Sequence, residues 1–273
     1  MNEDKTIWWW ALGVLALAAA GAAWWWWQGR TPPATAPVVQ AAPPPAGAPA
    51  KTEPPRIEHP IEQAPAAAAP VQEPAPLPPL AESDTVLRAA ISKLIGEKSL
   101  LEFFNMRDIA SRIVATVDNL PRAKVAQKVM PVRGPGGSFV VDGAGESRAI
   151  GADNASRYAA HMQLLEAVDG KQVAALYVRF YPLLQQAYRE LGYPQGHFND
   201  RLVAVIDHLL ATPEVAGPIK LVQPKVLYEF ADPVLQARSA GQKLLLRMGT
   251  ANAARVKIKL REFRREVTAA PPQ

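Results

Sequence analysis

Residues 7–27 form an unbroken run of 21 without a charged or strongly polar side chain, and no other feature constrains this 273-residue chain as tightly. Wound as a helix at ~1.5 Å per residue, the run measures about 31 Å, the depth of a bilayer's hydrocarbon core. All seven tryptophans lie in it, with Trp8, Trp9 and Trp10 at one end and Trp24, Trp25, Trp26 and Trp27 at the other. An indole is apolar yet carries an N–H that needs a partner, so two terminal clusters predict two membrane-interface belts. A cleaved signal peptide with a small-residue site at Ala20-Gly21-Ala22 is the competing reading. Glu3 and Asp4 in the preceding segment argue against it, as does a mature chain opening on four exposed tryptophans. The expectation is one uncleaved transmembrane helix, residues 1–30 with its flanks. Lys5 and Arg30 flank opposite ends and hardly orient it.

From 31 to 80 the composition changes. Sixteen prolines and thirteen alanines fill these 50 residues, with no apolar period. Such a stretch cannot bury enough surface to offset its ordering entropy, and repeated proline biases it towards polyproline II. The expectation is a disordered linker that spaces a domain from the membrane. A tolerated tether of no particular length and a ligand for a proline-binding partner are the other readings. His59 lies here and receives no metal role.

Residues 81–273 read as one mostly α-helical domain with a minor β-hairpin. Ser83 is placed to cap a helix ending at Gly96, and Ser99 to start a short turn. Met106, Ile109, Ile113 and Val117 keep helical spacing up to Leu120-Pro121. Gly134-Pro135-Gly136-Gly137 breaks the chain, and residues 138–141 and 148–150 predict short strands around Asp142-Gly143-Ala144-Gly145. Asp153 then opens a helix over 154–167. A long stripe from Val173 to Leu191 contains Pro182, which predicts a kink or a split. Further helices follow over 202–210, after caps at Asp232 and Ser239, and over 252–267.

Several strings in this region form a recognisable set. They are Thr116-Val117-Asp118-Asn119-Leu120-Pro121-Arg122, Tyr193-Pro194, Phe198-Asn199-Asp200-Arg201-Leu202-Val203, Ile206-Asp207-His208-Leu209-Leu210, and Ser239-Ala240-Gly241-Gln242 continuing to Gly249. Together they resemble the bacterial domain-of-unknown-function family numbered 3014. The resemblance implies a proteobacterial inner-membrane protein with one anchor, a Pro/Ala spacer and this domain. It implies no catalytic residues.

Motifs for catalysis are mostly excluded. The chain has no cysteine, which removes disulfides, Cys-ligated zinc or iron–sulfur sites, a thiol nucleophile and a lipidated Cys. His161, His197 and His208 are the domain's histidines, without a His-Glu-x-x-His pair. Gly145-Glu146-Ser147-Arg148-Ala149 misses the nucleophile elbow, and the Gly134 turn lacks the Lys-Ser/Thr end of a phosphate cradle. His208, beside Asp207, reads as packed or capped on its helix. No cofactor and no metal are expected, and no catalytic residue is assigned.

Two segments remain as binding candidates. Residues 81–273 carry 26 Lys and Arg against 19 Asp and Glu, a net +7, and residues 238–266 alone carry nine against two, also net +7. Val256, Leu260 and Phe263 mark the buried side of the last helix, while Lys257, Arg261 and Arg264 follow i, i+4, i+7 on another face. That face is a solvated surface or a site for an anionic partner, such as a phospholipid headgroup, a cell-wall polymer or an acidic protein, not nucleic acid. The second candidate is the loop 192–201. Gly192 suits a left-handed C′ position, and Asn199 suits an N-cap with Asp200 in the first turn and a Phe198–Val203 staple. Tyr193, Gln195, His197 and Arg201 are left without a structural need.

The expected function is therefore a membrane-anchored cell-envelope protein, N-terminus cytoplasmic and domain periplasmic, whose helical domain binds or scaffolds without catalysis. Its partners are the lipid bilayer, through the N-terminal helix, and an envelope component. The alternative is an envelope hydrolase or lyase acting on cell-wall or lipid material around His197 and Asp200. An energy transducer ranks last, because residues 7–27 hold no ionisable group to engage a motor.

Overall fold

The computed structural model of the chain describes residues 57–61 and 76–269. The apolar run with its tryptophans and most of the spacer lie outside the described residues, among which no helix is long and apolar enough to cross a membrane. The described domain is mostly helical. It comprises α1 (Asp84–Ile95), α2 (Glu97–Phe103), α3 (Ile109–Asn119), β1 (Val141–Asp142), β2 (Ala149–Ile150), α4 (Ala159–Ala167), α5 (Gly170–Glu190), α6 (Phe198–Leu210), β3 (Leu221–Val222), β4 (Glu229–Phe230), α7 (Pro233–Gln236), α8 (Ala240–Arg247) and α9 (Thr250–Thr268).

Local signals set several boundaries. Gly96, at φ +83, ends α1, and α2 begins directly after it rather than at Ser99. The Asp232 carboxylate accepts the Val234 and Leu235 amides, and the Ser239 hydroxyl accepts the Gln242 amide, so both expected caps form. Ser83 precedes α1, but its hydroxyl donates back to the Leu80 carbonyl at 2.7 Å instead of capping. Met106 stays outside α3. That helix starts after Asp108, at φ 50, and its first amides are held from α1: Asp84 accepts the Asp108 and Ile109 N–H groups at 2.7 and 3.0 Å. Residues Ala152–Tyr158 form a 3-10 turn ahead of α4 rather than its first α-turns. Pro182 neither splits nor ends α5, which runs through it as one element of 21 residues. The expected hairpin pairs Val141 with Ile150, shorter than the sequence suggests, and a second one pairs Leu221 with Phe230.

The core lies on two sides of α6. On one, Phe198 joins Ile109 and Val114 of α3 and Phe180, Leu184 and Tyr188 of α5. On the other, Val205 and Leu209 meet Tyr158, Met162 and Leu245, with Val256 and Leu260 of α9 packed against them. The second hairpin closes a smaller cluster of Leu221, Phe230, Leu235 and Leu246.

The backbones of α8 and the end of α3 approach closely. The Gly241 amide donates to the Leu120 carbonyl at 2.9 Å, and the Ala240 amide to the Arg122 carbonyl at 2.7 Å. A Cβ on Gly241 would stand 2.5 Å from Leu209 Cδ2 and 3.2 Å from the Leu120 oxygen. Gly241→Ala is therefore expected to lower stability by about 1–3 kcal/mol, the usual cost of overpacking. Urea denaturation measures this, and an unchanged midpoint would show that α8 can move away freely.

Candidate functional site

Asp118 follows Ala110 and Val114 at helical steps, which turns its carboxylate into the buried face of α3, where it is 1% exposed. A buried carboxylate is costly unless charged partners and donors surround it. Three surround this one. Arg201 of α6 gives Nε to Oδ1 at 3.0 Å and Nη2 to the Asp118 carbonyl at 2.8 Å. Arg122, one turn on, gives Nη2 to Oδ2 at 2.5 Å. The Tyr193 hydroxyl donates to Oδ2 at 3.2 Å and accepts from Arg122 Nη2 at 3.3 Å.

The loop that delivers Tyr193 is fixed at both ends. Gly192, at φ +117, follows Leu191, the C-cap of α5, and the pairs Gly192 N to Arg189 O and Tyr193 N to Tyr188 O close a Schellman turn. The Tyr193 ring then stacks on Tyr188, 4.6 Å between centroids and 17° from parallel. Gln185, buried on α5, spans the other end. Its Nε2 donates to the Gly196 carbonyl at 2.7 Å and its Oε1 accepts the Phe198 amide at 2.8 Å. A side chain from a neighbouring helix thus caps α6.

The cluster holds two guanidiniums to one carboxylate. Arg122 is the outer member, 55% exposed against 31% for Arg201. Its hydrogen bond to Asp118 holds its guanidinium above the ordinary arginine range. The cluster therefore shows solvent a fixed cation next to a stacked aromatic pair. Arg122 also belongs to the α3–α8 junction through its carbonyl, and there His208 Nε2 lies 2.8 Å from the Ser239 hydroxyl while Gln242 donates to the His208 carbonyl at 3.0 Å. The strings separated in sequence thus meet around one junction, and His208 is packed and hydrogen-bonded there.

The loop candidates divide. Tyr193 and Arg201 come together on Asp118 and have the structural role that sequence alone did not reveal. His197 stands apart from them: its backbone carbonyl accepts the Arg201 amide at 3.2 Å, and it occupies the N-cap position of α6 without a side-chain cap. Gln195 is exposed. The expected cap at Asn199 is corrected. Helix α6 starts at Phe198, which fills the core instead of stapling the entry, and Asn199 lies inside the first turn, fully buried.

The basic face of the last helix is also corrected. Lys257 is 6% exposed, and its Nζ donates to the Thr212 carbonyl at 2.6 Å. Thr212 lies just past the end of α6, where carbonyls lack helical partners and a cation is favoured. Arg264 holds Asp207 through both Nε and Nη2, at 2.7 and 2.9 Å. Arg261 alone of the three is exposed. Among the described residues no group of three His, Cys, Asp or Glu side chains converges as a metal site would require. His161 lies against the Arg133 carbonyl, 2.9 Å from Nε2, with its ring edge-on to Phe103.

Asp118 was within reach of sequence reasoning, since an acid at the i+8 position of an apolar stripe demands cationic partners. Which residues supply them was not, because Arg201 lies 83 residues away.

Two predictions follow from these geometries. Asp118→Asn should lower stability by about 1.5–3 kcal/mol, the scale of hydrogen bonds to a charged group, and Tyr193→Phe by about 1 kcal/mol. Lys257→Gln should cost about 1–3 kcal/mol by stranding a buried carbonyl, whereas Arg261→Gln should stay within about 0.5 kcal/mol. Chemical denaturation of the four variants decides. Equal midpoints for the two α9 variants would contradict the burial of Lys257.

No curated protein sequence and no solved structure matches the chain. Residues 109–264 match the family described as Protein of unknown function (DUF3014). The match starts with α3, ends within α9, and so contains the Asp118 cluster, the α3–α8 junction and the Lys257–Thr212 and Arg264–Asp207 contacts. It covers more than half of the 273 residues, and the chain belongs to this DUF3014 family.

Proposed function

We propose that the protein is a single-pass envelope protein: residues 7–27 cross the inner membrane from a cytoplasmic N-terminus, and the spacer carries the helical domain in the periplasm as a non-enzymatic binding or scaffolding module. The observation that carries the binding reading is the commitment of the groups suited to proton transfer. The Asp118 carboxylate is taken by Arg122, Arg201 and Tyr193. His208 is taken by Ser239. The Asp200 carboxylate, the base that an envelope hydrolase or lyase would draw on beside His197, accepts the backbone amides of Glu58 and His59. Among the groups that reach solvent are Arg122 beside the half-buried Tyr193, and Arg261 with Arg265 on α9. Groups of that kind fit an anionic surface, either phospholipid headgroups, cell-wall polymer or an acidic protein.

The topology is tested with two fusions after Gln273. A fluorescent reporter that matures only in the cytoplasm should stay dark, and a phosphatase active only after export should work. The reverse pattern would overturn the proposed orientation. The binding role is tested by crosslinking in intact cells, where Arg261→Gln with Arg265→Gln, both exposed, should reduce the recovered partner without changing the amount of folded protein. Undiminished recovery would remove these arginines from the interface.

A further inference from the structure

The first turn of α6 holds chain from about 140 residues earlier. Asp200 Oδ1 accepts the His59 amide at 2.6 Å and Oδ2 accepts the Glu58 amide at 3.3 Å. Asn199 Nδ2 donates to the His59 carbonyl at 2.9 Å. The amide group of Asn199 is aimed by what lies behind it. Its Oδ1 accepts from the Tyr177 hydroxyl at 2.9 Å, and its Nδ2 also donates to the Val267 carbonyl at 3.1 Å. Tyr177 is itself wedged edge-on between Tyr181 and Phe263. Burial pushes its hydroxyl pKa far up, so it stays a donor. One N–H of a fully buried side chain is therefore left to point at the segment, and a carboxylate stands beside it.

Neither residue is needed to begin the helix, because Gln185 caps it. All three contacts go to the main chain of the segment, while the side chains of Ile57, Glu58 and Pro60 are exposed. The chain bends at Glu58 and His59, and Pro60, which follows, has no N–H of its own to leave unpaired. The bend turns two successive amides towards one carboxylate, and the Asn199 amide takes the His59 carbonyl beside them.

We infer that Asn199 and Asp200 form a clamp for the main chain of a bent peptide segment, occupied by the protein's own residues 57–61, which ties the Pro/Ala spacer to the domain at a second point ahead of α1. This inference does not rest on the membrane topology proposed above.

The chain has no cysteine, so spin labels can be placed at cysteines introduced for Ile57 and Lys98, both exposed. In the full chain, solubilised in mild detergent, pulsed dipolar spectroscopy should give one narrow distance distribution. His59→Ala, which keeps both main-chain groups, should leave it unchanged. His59→Pro, which removes the amide given to Asp200, and Asp200→Ala should each abolish the narrow peak. A control pair at Lys98 and Arg261 should stay narrow in every variant, separating release of the segment from loss of the fold. A narrow Ile57–Lys98 peak that survives both His59→Pro and Asp200→Ala would overturn the clamp. So would a broad distribution in the unaltered segment, or loss of the peak in His59→Ala.

Discussion

A carboxylate shut away from water sets the geometry around it, because every group brought to neutralise it must arrive from somewhere. Asp118 draws Arg201 from α6, Arg122 from the chain just past α3, and the Tyr193 hydroxyl from the loop between α5 and α6. Those three contacts fix how far along α3 the helix α6 can sit. They also fix the stretch from Asp118 to Arg122, whose next task is to present the Leu120 and Arg122 carbonyls to the first amides of α8. Gly241 answers the resulting closeness, since a methyl group there has no room. Removing the carboxylate would thus loosen the α3–α6 contact directly and the α3–α8 contact through the backbone.

Helix α6 is held along its length by α9. The Val267 carbonyl accepts from Asn199, Arg264 pairs with Asp207, and Lys257 reaches the Thr212 carbonyl. One set of numbers rises as the other falls, so the two helices run antiparallel and are stitched in the first turn of α6, in its last turn and just past its end. The basic excess at the end of the chain is consequently a fastening in large part. Lys259 pairs with Glu262 and Arg255 with Glu166, which takes two more of its cations. Their energetic weight differs with burial. The exposed pairs contribute little, whereas the Lys257 contact satisfies a carbonyl that water does not reach.

How much of this was legible in sequence depended on distance along the chain. Gly192, Asp232 and Ser239 act on amides and carbonyls within a few residues of themselves, so their roles could be read from spacing. The long helices were legible for the same reason, from apolar residues at helical steps. Asn199 has the residue type and position of an N-cap and still does something else, because Gln185 reaches the first amide from 13 residues away and Val267 claims the asparagine from 68. Lys257 sits at the spacing of an exposed face, but the carbonyl that draws it inward belongs to Thr212, 45 residues earlier. Tyr193 and Arg201 were singled out as chemistry without a structural need, and Asp118 supplies the need. The second hairpin escaped because no glycine marks its connection over 223–228, whereas Asp142-Gly143-Ala144-Gly145 marks the first, whose strands are equally short.

The hold on residues 57–61 has a consequence for how such a contact behaves when the chain is cut. Three hydrogen bonds contribute about 0.5–1.5 kcal/mol each, and a millimolar dissociation constant corresponds to about 4.1 kcal/mol. A ligand joined to its site through a short stretch of the same chain is held at an effective concentration of about millimolar. The clamp is therefore matched to a segment delivered by its own chain and too weak for the same peptide at ordinary solution concentrations. A single proteolytic nick between residues 61 and 76 would turn a filled clamp into an empty one, and the domain would part from everything N-terminal to the cut.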